Sequence, residues 1–342
     1  MRAFQLIAQG NPGTFKLNDV PEPVAGPGEV VVCVKACGLN HLDLWLEEAG
    51  LPMAVPLPRT PGCEISGVIE SVGPGAGDWE AGDRVAIQSN LFCGTCEFCL
   101  EGEESVCLNG QLLGVQVDGG FAELVKVPAR SLVSLPDELG FEASAALSLA
   151  ASTAMHMLTH RTEVKKGMWV LVVGGASGVG SAAIQIAKHL GARVISTGST
   201  PEKREFAKSL GAEFVVDAAD ADWTAQIRKY TNKRGVDIIV EHVGGPILEA
   251  LLNVLARNGT VVTCGATAGR DIKVNLWPLF VKQQRLIGSY GRNRADIRRT
   301  LEWAADGILK PCIDRVFPLA EALTAFTLLR ERKMLGKFVI VP

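Results

Sequence analysis

The chain carries no excess of charge of either sign: 34 Lys and Arg against 37 Asp and Glu leave a net charge of −3 over 342 residues. It has no basic cluster either, which argues against nucleic acid as the main partner. No apolar run approaches the roughly 18 residues that a membrane-spanning helix needs. Internal repeats and low-complexity segments are lacking. The stretch Met1–Ala8 meets Gly10 and Pro12 too soon to hold a signal-peptide core, so a cytoplasmic protein is expected. Hydrophobic residues at 47% and charged residues at 21% fit a soluble globular chain. Its length exceeds one ordinary core, so two domains are expected.

What is present is most distinctive at Cys93, Cys96, Cys99 and Cys107, separated by two, two and seven residues. Short Cys-x-x-Cys steps let thiolates converge on one tetrahedral ion, and Gly94 and Gly102 permit the turns. Zn²⁺ suits four sulfur ligands, and a saturated site has no position for water or substrate, so it braces a lobe (about residues 91–110). Two disulfides or a reduced, metal-free loop are the alternatives. A reducing compartment disfavours the disulfides. The five other cysteines are expected as free thiols, with Cys33, Cys264 and Cys312 as small apolar fillers.

Periodicity changes along the chain. Up to about residue 135 the apolar runs are short, β-rich and broken by Gly and Pro: Val30 to Val34, Gly67 to Val72, Arg84 to Ile87 and Ala122 to Val127 read as strands of a partly closed barrel. From about residue 142 helical spacing appears. Strands at Trp169 to Val173, Arg193 to Thr197, Ile238 to Glu241, Thr260 to Cys264 and Arg285 to Gly288 then alternate with helical patterns at Ala182 to Leu190, Pro201 to Leu210 and Ile247 to Ala256. That alternation predicts an α/β domain with a doubly wound parallel sheet covered on both faces. The tail from Ala295 holds further helix and a closing strand, Lys337 to Val341.

The alternating region opens on Val170-Leu-Val-Val-Gly-Gly-Ala-Ser-Gly-Val-Gly180, a strand, a glycine turn and a helix start. Glycines let backbone approach a pyrophosphate, and the helix N-terminus offers it unpaired N–H groups. Gly175, Ser177, Gly178, Val179 and Gly180 are the candidate cofactor residues, with Ser177 where the usual fingerprint has its middle glycine. The next strand ends in Gly198-Ser199-Thr200-Pro-Glu-Lys203, with no carboxylate at its tip to accept from ribose hydroxyls. Ser199, Thr200 and Lys203 suit a 2′-phosphate, so NADP(H) is favoured over NAD(H). Thr200 also reads as a helix N-cap.

Together with Gly82-Asp-Arg-Val85, Asp118-Gly-Gly-Phe-Ala-Glu123 and Gly38-Leu-Asn-His-Leu-Asp-Leu-Trp45, these motifs resemble the medium-chain dehydrogenase/reductase superfamily over essentially the whole chain. The string at Gly38 is most similar to bacterial members of the zinc-binding alcohol dehydrogenase and quinone oxidoreductase type. The resemblance implies a GroES-like catalytic domain (1–145 and 295–342), a Rossmann domain (146–294), a cleft between them, and hydride transfer between NAD(P)H and a small organic substrate. It also implies a homodimer or homotetramer, paired near Thr260 to Cys264 and the segment after it.

Relatives with a catalytic zinc hold it by a cysteine matched by Cys37, a histidine replaced here by Cys63 in Gly62-Cys63-Glu64, and a third ligand where Leu149 stands; the proton-relay hydroxyl is replaced by Leu39. Cys37, Cys63 and Glu64 offer three ligands of a second zinc site. A buried thiol and a hydrogen-bonded carboxylate is the other reading, and the lost third ligand and relay favour it. The resemblance then places Asn40 beside the active site and Thr153 on the nicotinamide carboxamide. His41 and Tyr290 are further catalytic candidates, and Trp45 and Trp277 candidate pocket walls. The favoured function is an NADP(H)-dependent reductase of quinones, activated alkenes or carbonyls, with a structural zinc only. A zinc alcohol dehydrogenase and a non-enzymatic nucleotide-binding protein are the alternatives.

Overall fold

β-Branched runs build the first half of the chain. In a computed structural model describing residues 1–342, Glu29–Gly38 (Glu-Val-Val-Val-Cys-Val-Lys-Ala-Cys-Gly) is the longest strand of a seven-stranded sheet. Its order runs Ile313–Pro318, Lys337–Val341, Glu29–Gly38, Glu64–Val72, Arg84–Ile87 and Leu132–Ser134, with Leu124–Pro128 also on Glu29–Gly38. The pairing of Glu29–Gly38 with Glu64–Val72 slips at two bulges, which bend and twist a sheet toward closure. A Cβ on Gly67 would stand 2.2 Å from the Cys33 carbonyl oxygen, so that approach requires glycine. Val30, Val32, Val34, Ile65, Ile69 and Ile87 fill the interior with Phe121, Phe326 and Phe338. A hairpin of Arg2–Ala8 and Thr14–Asp19, which the sequence reading did not single out, brings Phe4 and Phe15 into stacked contact at 4.8 Å.

The second half forms a six-stranded parallel sheet. In chain order its strands are Trp169–Val172, Arg193–Thr197, Phe214–Val216, Val236–Glu241, Leu255–Thr263 and Arg285–Gly288. In space they run third, second, first, fourth, fifth, sixth. All four residues of Trp-Val-Leu-Val are buried, as parallel strands covered on both faces require. Connections diverge between the first and fourth strands, and there the carboxyl ends leave the crevice that binds ligands in such sheets. No helix is long and apolar enough to cross a membrane.

The chain divides into two units, Met1–Ser152 with Arg292–Gly307 and Pro311–Pro342, and Thr153–Gly291 with Ile308–Lys310. Residues 146–152, expected with the nucleotide half, therefore group with the first unit. The reason is local: the amides of Leu149 and Ala150 are tied to Glu64. The return falls at Arg292, not residue 295, because its guanidinium donates to Ser89, Asn90 and the Ser148 carbonyl.

Two expectations in the second unit need correction. The helix placed at Ile247 to Ala256 spans Gly245–Leu251, and the next strand starts at Leu255, ahead of the expected Thr260. Leu255 pairs with Val236 before an irregular stretch, where Asn258 has positive φ, and regular pairing resumes at Thr260. The strand containing Thr260 is also no sheet edge. Arg285–Gly288 covers it, so the open edge belongs to that last strand.

Candidate functional site

In the first unit, the four lobe cysteines follow the short strand Asn90–Leu91. Gly94 and Gly102 turn the chain at positive φ, and Cys96 opens the turn of helix Glu97–Leu100. The sulfur separations are 3.4 Å for Cys96–Cys99, 3.5 Å for Cys93–Cys107, 3.8 Å for Cys96–Cys107 and 3.9 Å for Cys93–Cys99. Four sulfurs about 2.3 Å from a tetrahedral Zn²⁺ lie about 3.8 Å apart, whereas a disulfide needs about 2.05 Å. The lobe therefore fits an ion at its centre and not two disulfides. Backbone N–H groups of Thr95 and Cys96 point at the Cys93 sulfur, and the Thr95 N–H leads the effects that lower its pKa to about 5. Anionic sulfur is the form a metal takes.

The second constellation of this unit surrounds the end of strand Glu29–Gly38. Asn40 is the N-cap of helix His41–Glu47, and its N–H donates to Asp43 at 2.8 Å. The Asn40 amide nitrogen donates to the Gly38 carbonyl at 3.1 Å and to Glu64 Oε2 at 3.0 Å. Its Oδ1 accepts from Lys337 at 2.7 Å. Glu64 Oε1 takes the amides of Leu149 and Ala150 at 2.7 and 2.8 Å, while Oε2 pairs with Lys337 at 2.7 Å. The third ammonium hydrogen of Lys337 goes to the Leu39 carbonyl, also at 2.7 Å. Every donor and acceptor here is engaged, as burial demands. Sequence reading missed Lys337, whose partners lie nearly the whole chain away.

Cys37 and Cys63 are buried, and burial above all, then Asp43, pushes both thiols well up. Among the described residues only the four-cysteine lobe brings three or more His, Cys, Asp or Glu ligand atoms within 4.8 Å of one another. Cys37, Cys63 and Glu64 form no such group. Cys33, Cys264 and Cys312 are half-buried and form no disulfide. His41 is half-buried, with its ring edge-on to Trp45 at 5.5 Å.

Asp43 is buried beneath this cluster, accepting from the N–H groups of Asn40 and Gly62. Desolvation outweighs those donors and raises its pKa from 3.8 to about 7. Between these values the folded chain holds a proton that the unfolded chain has lost. Stability from this group is therefore greatest at low pH and falls as pH rises through the window. Asp43→Asn should flatten that slope, read as unfolding midpoints at about pH 5 and about pH 8. An unchanged difference between the two would refute a raised Asp43.

In the second unit, Ser177 is the N-cap of helix Gly178–His189 and accepts from the Gly180 N–H at 2.9 Å. This explains the serine at a glycine position: its hydroxyl ends the turn and starts the helix. Gly175 and Gly180 admit no side chain, because a Cβ would stand 2.2 Å from Ser196 Oγ and from the Gly174 carbonyl oxygen. The N–H groups of Gly178 and Val179, first in the helix, have no intrahelical partner and suit a pyrophosphate. Thr197 anchors the turn from the neighbouring strand, its hydroxyl accepting from the Gly174 N–H at 2.9 Å. His242, at the carboxyl end of the fourth strand, places Nε2 2.8 Å from the Val173 carbonyl and 3.3 Å from Ser177 Oγ. The carbonyl accepts, so Nε2 carries the proton. Burial lowers the His242 pKa, and the ring is neutral at the switch point.

At the adjacent strand tip, Ser199 is exposed and Thr200 caps helix Pro201–Ser209 through the Lys203 N–H at 3.3 Å. Arg204 donates to the Gly198 carbonyl at 3.0 Å and pairs with Asp217 at 2.8 Å. The Thr200 hydroxyl donates to Glu202 and lowers its pKa. Thr153, which opens the second unit, is buried within helix Ala150–Thr159, and Tyr290, just past the last strand, is 55% exposed. Trp277 is 69% exposed and packs edge-on with Phe280.

Two family models match, an alcohol dehydrogenase GroES-like domain at residues 26–137 and a zinc-binding dehydrogenase domain at 178–306. An alcohol dehydrogenase of Geobacillus stearothermophilus is 34% identical over 328 residues, which are 95% of this chain and 96% of the relative. A solved NAD-dependent alcohol dehydrogenase superposes with a TM-score of 0.95 at 38% identity, covering 100% of both chains. The V350A form of the crotonyl-CoA carboxylase/reductase AntE, solved in complex with NADP, superposes with a TM-score of 0.90 at 25% identity, covering 100% of this chain and 94% of its own.

Proposed function

Because the chain belongs to the zinc-binding medium-chain dehydrogenase/reductase superfamily, a family of oxidoreductase enzymes, we propose that it is an NADP(H)-dependent reductase of a quinone, activated alkene or carbonyl. One structural zinc is held by Cys93, Cys96, Cys99 and Cys107, and no zinc takes part in the chemistry. The observation that carries this reading is the engagement of Glu64. Both its oxygens are taken by Lys337, Asn40 and two backbone amides, and burial pushes the neighbouring Cys37 and Cys63 thiols well up. Leu149 contributes a backbone N–H where a third ligand would be needed.

The nicotinamide supplies hydride when bound. The chain's own residues bind and orient: Gly178 and Val179 offer N–H groups to the pyrophosphate, with Ser177 and His242 holding the turn. Ser199, Thr200 and Lys203 are assigned to a 2′-phosphate, which would take the Thr200 hydroxyl from Glu202, and Thr153 is assigned to the carboxamide. Asn40, with both amide hydrogens committed, positions Glu64 and Lys337 and does not donate to substrate. His41 and Tyr290 are the proposed proton donors to the reduced substrate. NADPH should exceed NADH at least tenfold in kcat/KM on enones, quinones and carbonyls, in protein that holds one zinc per chain. Preference for NADH would refute the cofactor assignment.

A second reading, a zinc-dependent alcohol dehydrogenase, is favoured by the relatives that are themselves alcohol dehydrogenases. It predicts oxidation of simple alcohols that chelation abolishes. Cytoplasmic location and a small-molecule substrate, without nucleic acid or membrane, complete the proposal.

For assembly, the outer edge of strand Arg285–Gly288 is unpaired, and Leu286, Trp277 and Phe280 expose apolar surface beside it. An exposed, apolar edge is a pairing surface, and a homodimer across it is proposed, with a tetramer as its extension. Leu286→Glu should shift the sedimentation mass from dimer to monomer; a wild-type monomer would refute the interface.

A further inference from the structure

The first unit carries a depression of about 390 Å³ that the hydride-transfer chemistry does not use. Its wall includes Trp79, Arg130, Arg294 and Arg298, and no carboxylate lines it, although the chain is net acidic. The turn opposite is built from Gly75 and Gly77 at positive φ, and a Cβ at either position would meet nothing within 4 Å. That side is therefore bare backbone facing open space. Trp79 is half-buried and packs on the unit's core, so its ring is a fixed wall.

Two of the three guanidinium groups are held in place. Arg130 donates to the Cys93 carbonyl, and Arg294 Nη1 donates to the Arg130 carbonyl at 3.0 Å. Arg294 Nε pairs with Glu104 at 2.8 Å, and its guanidinium lies 5.0 Å from the Phe92 ring centre. Glu104 thus offsets one charge of the three. Arg298 stands one helical turn beyond Arg294 on helix Arg294–Ala305, and like charges at that spacing repel. Both lie in the first half of the helix, whose amino end adds positive potential. Fixed guanidinium groups with spare N–H donors match phosphoryl oxygens, which they bind in fork geometry.

We infer that this depression is a binding site for a small phosphorylated molecule bearing a flat group, its phosphoryl oxygens on Arg130, Arg294 and Arg298 and its flat face on Trp79. Its volume lies in the range of small-ligand pockets. The occupant would also touch both arginines that hold the four-cysteine lobe, through the Cys93 carbonyl and Glu104.

The test is calorimetric titration of the full chain with phenyl phosphate at low salt. Saturable one-to-one binding is expected, at least tenfold weaker in Arg298→Glu and unchanged in Arg299→Glu. Arg299 is exposed, makes the same charge change, and does not line the depression. Phosphate bound at the glycine loop would survive Arg298→Glu. No saturation at about 10 mM, equal affinity in Arg298→Glu, or equal weakening in Arg299→Glu would each overturn the site. Inorganic phosphate should bind more weakly than phenyl phosphate; equal affinity would overturn the role of Trp79. Circular dichroism checks that both exposed-site variants fold.

Discussion

Replacing Lys337 by Met should cost about 3–5 kcal/mol of stability, because it leaves a buried carboxylate without its cation. The Glu64 side chain is 0% exposed and that of Lys337 4%, so water cannot substitute for the lost partner. The Leu39 carbonyl and Asn40 Oδ1 would lose their donor in the same step. For a chain of this size the loss corresponds to a fall in melting temperature of roughly 5–10 °C. Lys337→Met combined with Glu64→Gln should recover much of it, since the charge that made the vacancy costly is gone. Lys337→Arg keeps the cation but not the compact three-donor head, and should fall between. Denaturant midpoints for the four proteins decide the matter. A loss below about 1 kcal/mol in Lys337→Met would mean that the pair behaves as an exposed one.

The second large effect concerns the metal. Protein purified without added metal should contain one zinc per chain, and its removal should release the lobe. Free energies of about 10–16 kcal/mol accompany zinc binding by isolated finger peptides, and the lobe's own secondary structure is one short helix and one 3-10 turn. Ser105 donates its N–H to Asn293, and Glu104 binds Arg294, so the start of helix Arg294–Ala305 should loosen with it. Limited proteolysis should then cut between residues 93 and 107, and four more thiols should react after chelation than before. Two zinc ions per chain would point to Cys37, Cys63 and Glu64 as ligands, and would make the alcohol dehydrogenase reading the leading one. A metal-free lobe that resists proteolysis would remove zinc from the account.

Features coded by consecutive residues were legible in the sequence. The glycine turn, its strand and its helix follow one another from Trp169 to His189, and five of the six parallel strands were found with only their ends displaced, whereas Phe214–Val216, three residues long, was not. Cys93 to Cys107 is equally local. Sequence reading failed where the partner is remote or the apolar run is short. Lys337 meets Leu39 across 298 residues of chain, and no spacing rule connects them. His242 reads as an isolated histidine until parallel pairing sets it beside Val173 and Ser177. Leu255 and Ala256 fit a helical pattern as well as a strand, and only pairing with Val236 decides between them. For Asn40 no local pattern gives the direction of the amide, which Glu64 and Lys337 set.

Strand Lys337–Val341 lies between Ile313–Pro318 and Glu29–Gly38, so segments made before and after the nucleotide unit meet inside one sheet. A ribosome finishes all six strands of the nucleotide unit before it makes this one. The middle of the chain therefore has everything needed for its own sheet while the first unit still lacks two of seven strands. Closing a loop of some 300 residues costs entropy that grows with the logarithm of its free length, and a unit already folded inside that loop shortens it. The order of synthesis thus favours nucleotide unit first, catalytic unit last, with the Lys337 ammonium arriving at Glu64 among the final contacts to form.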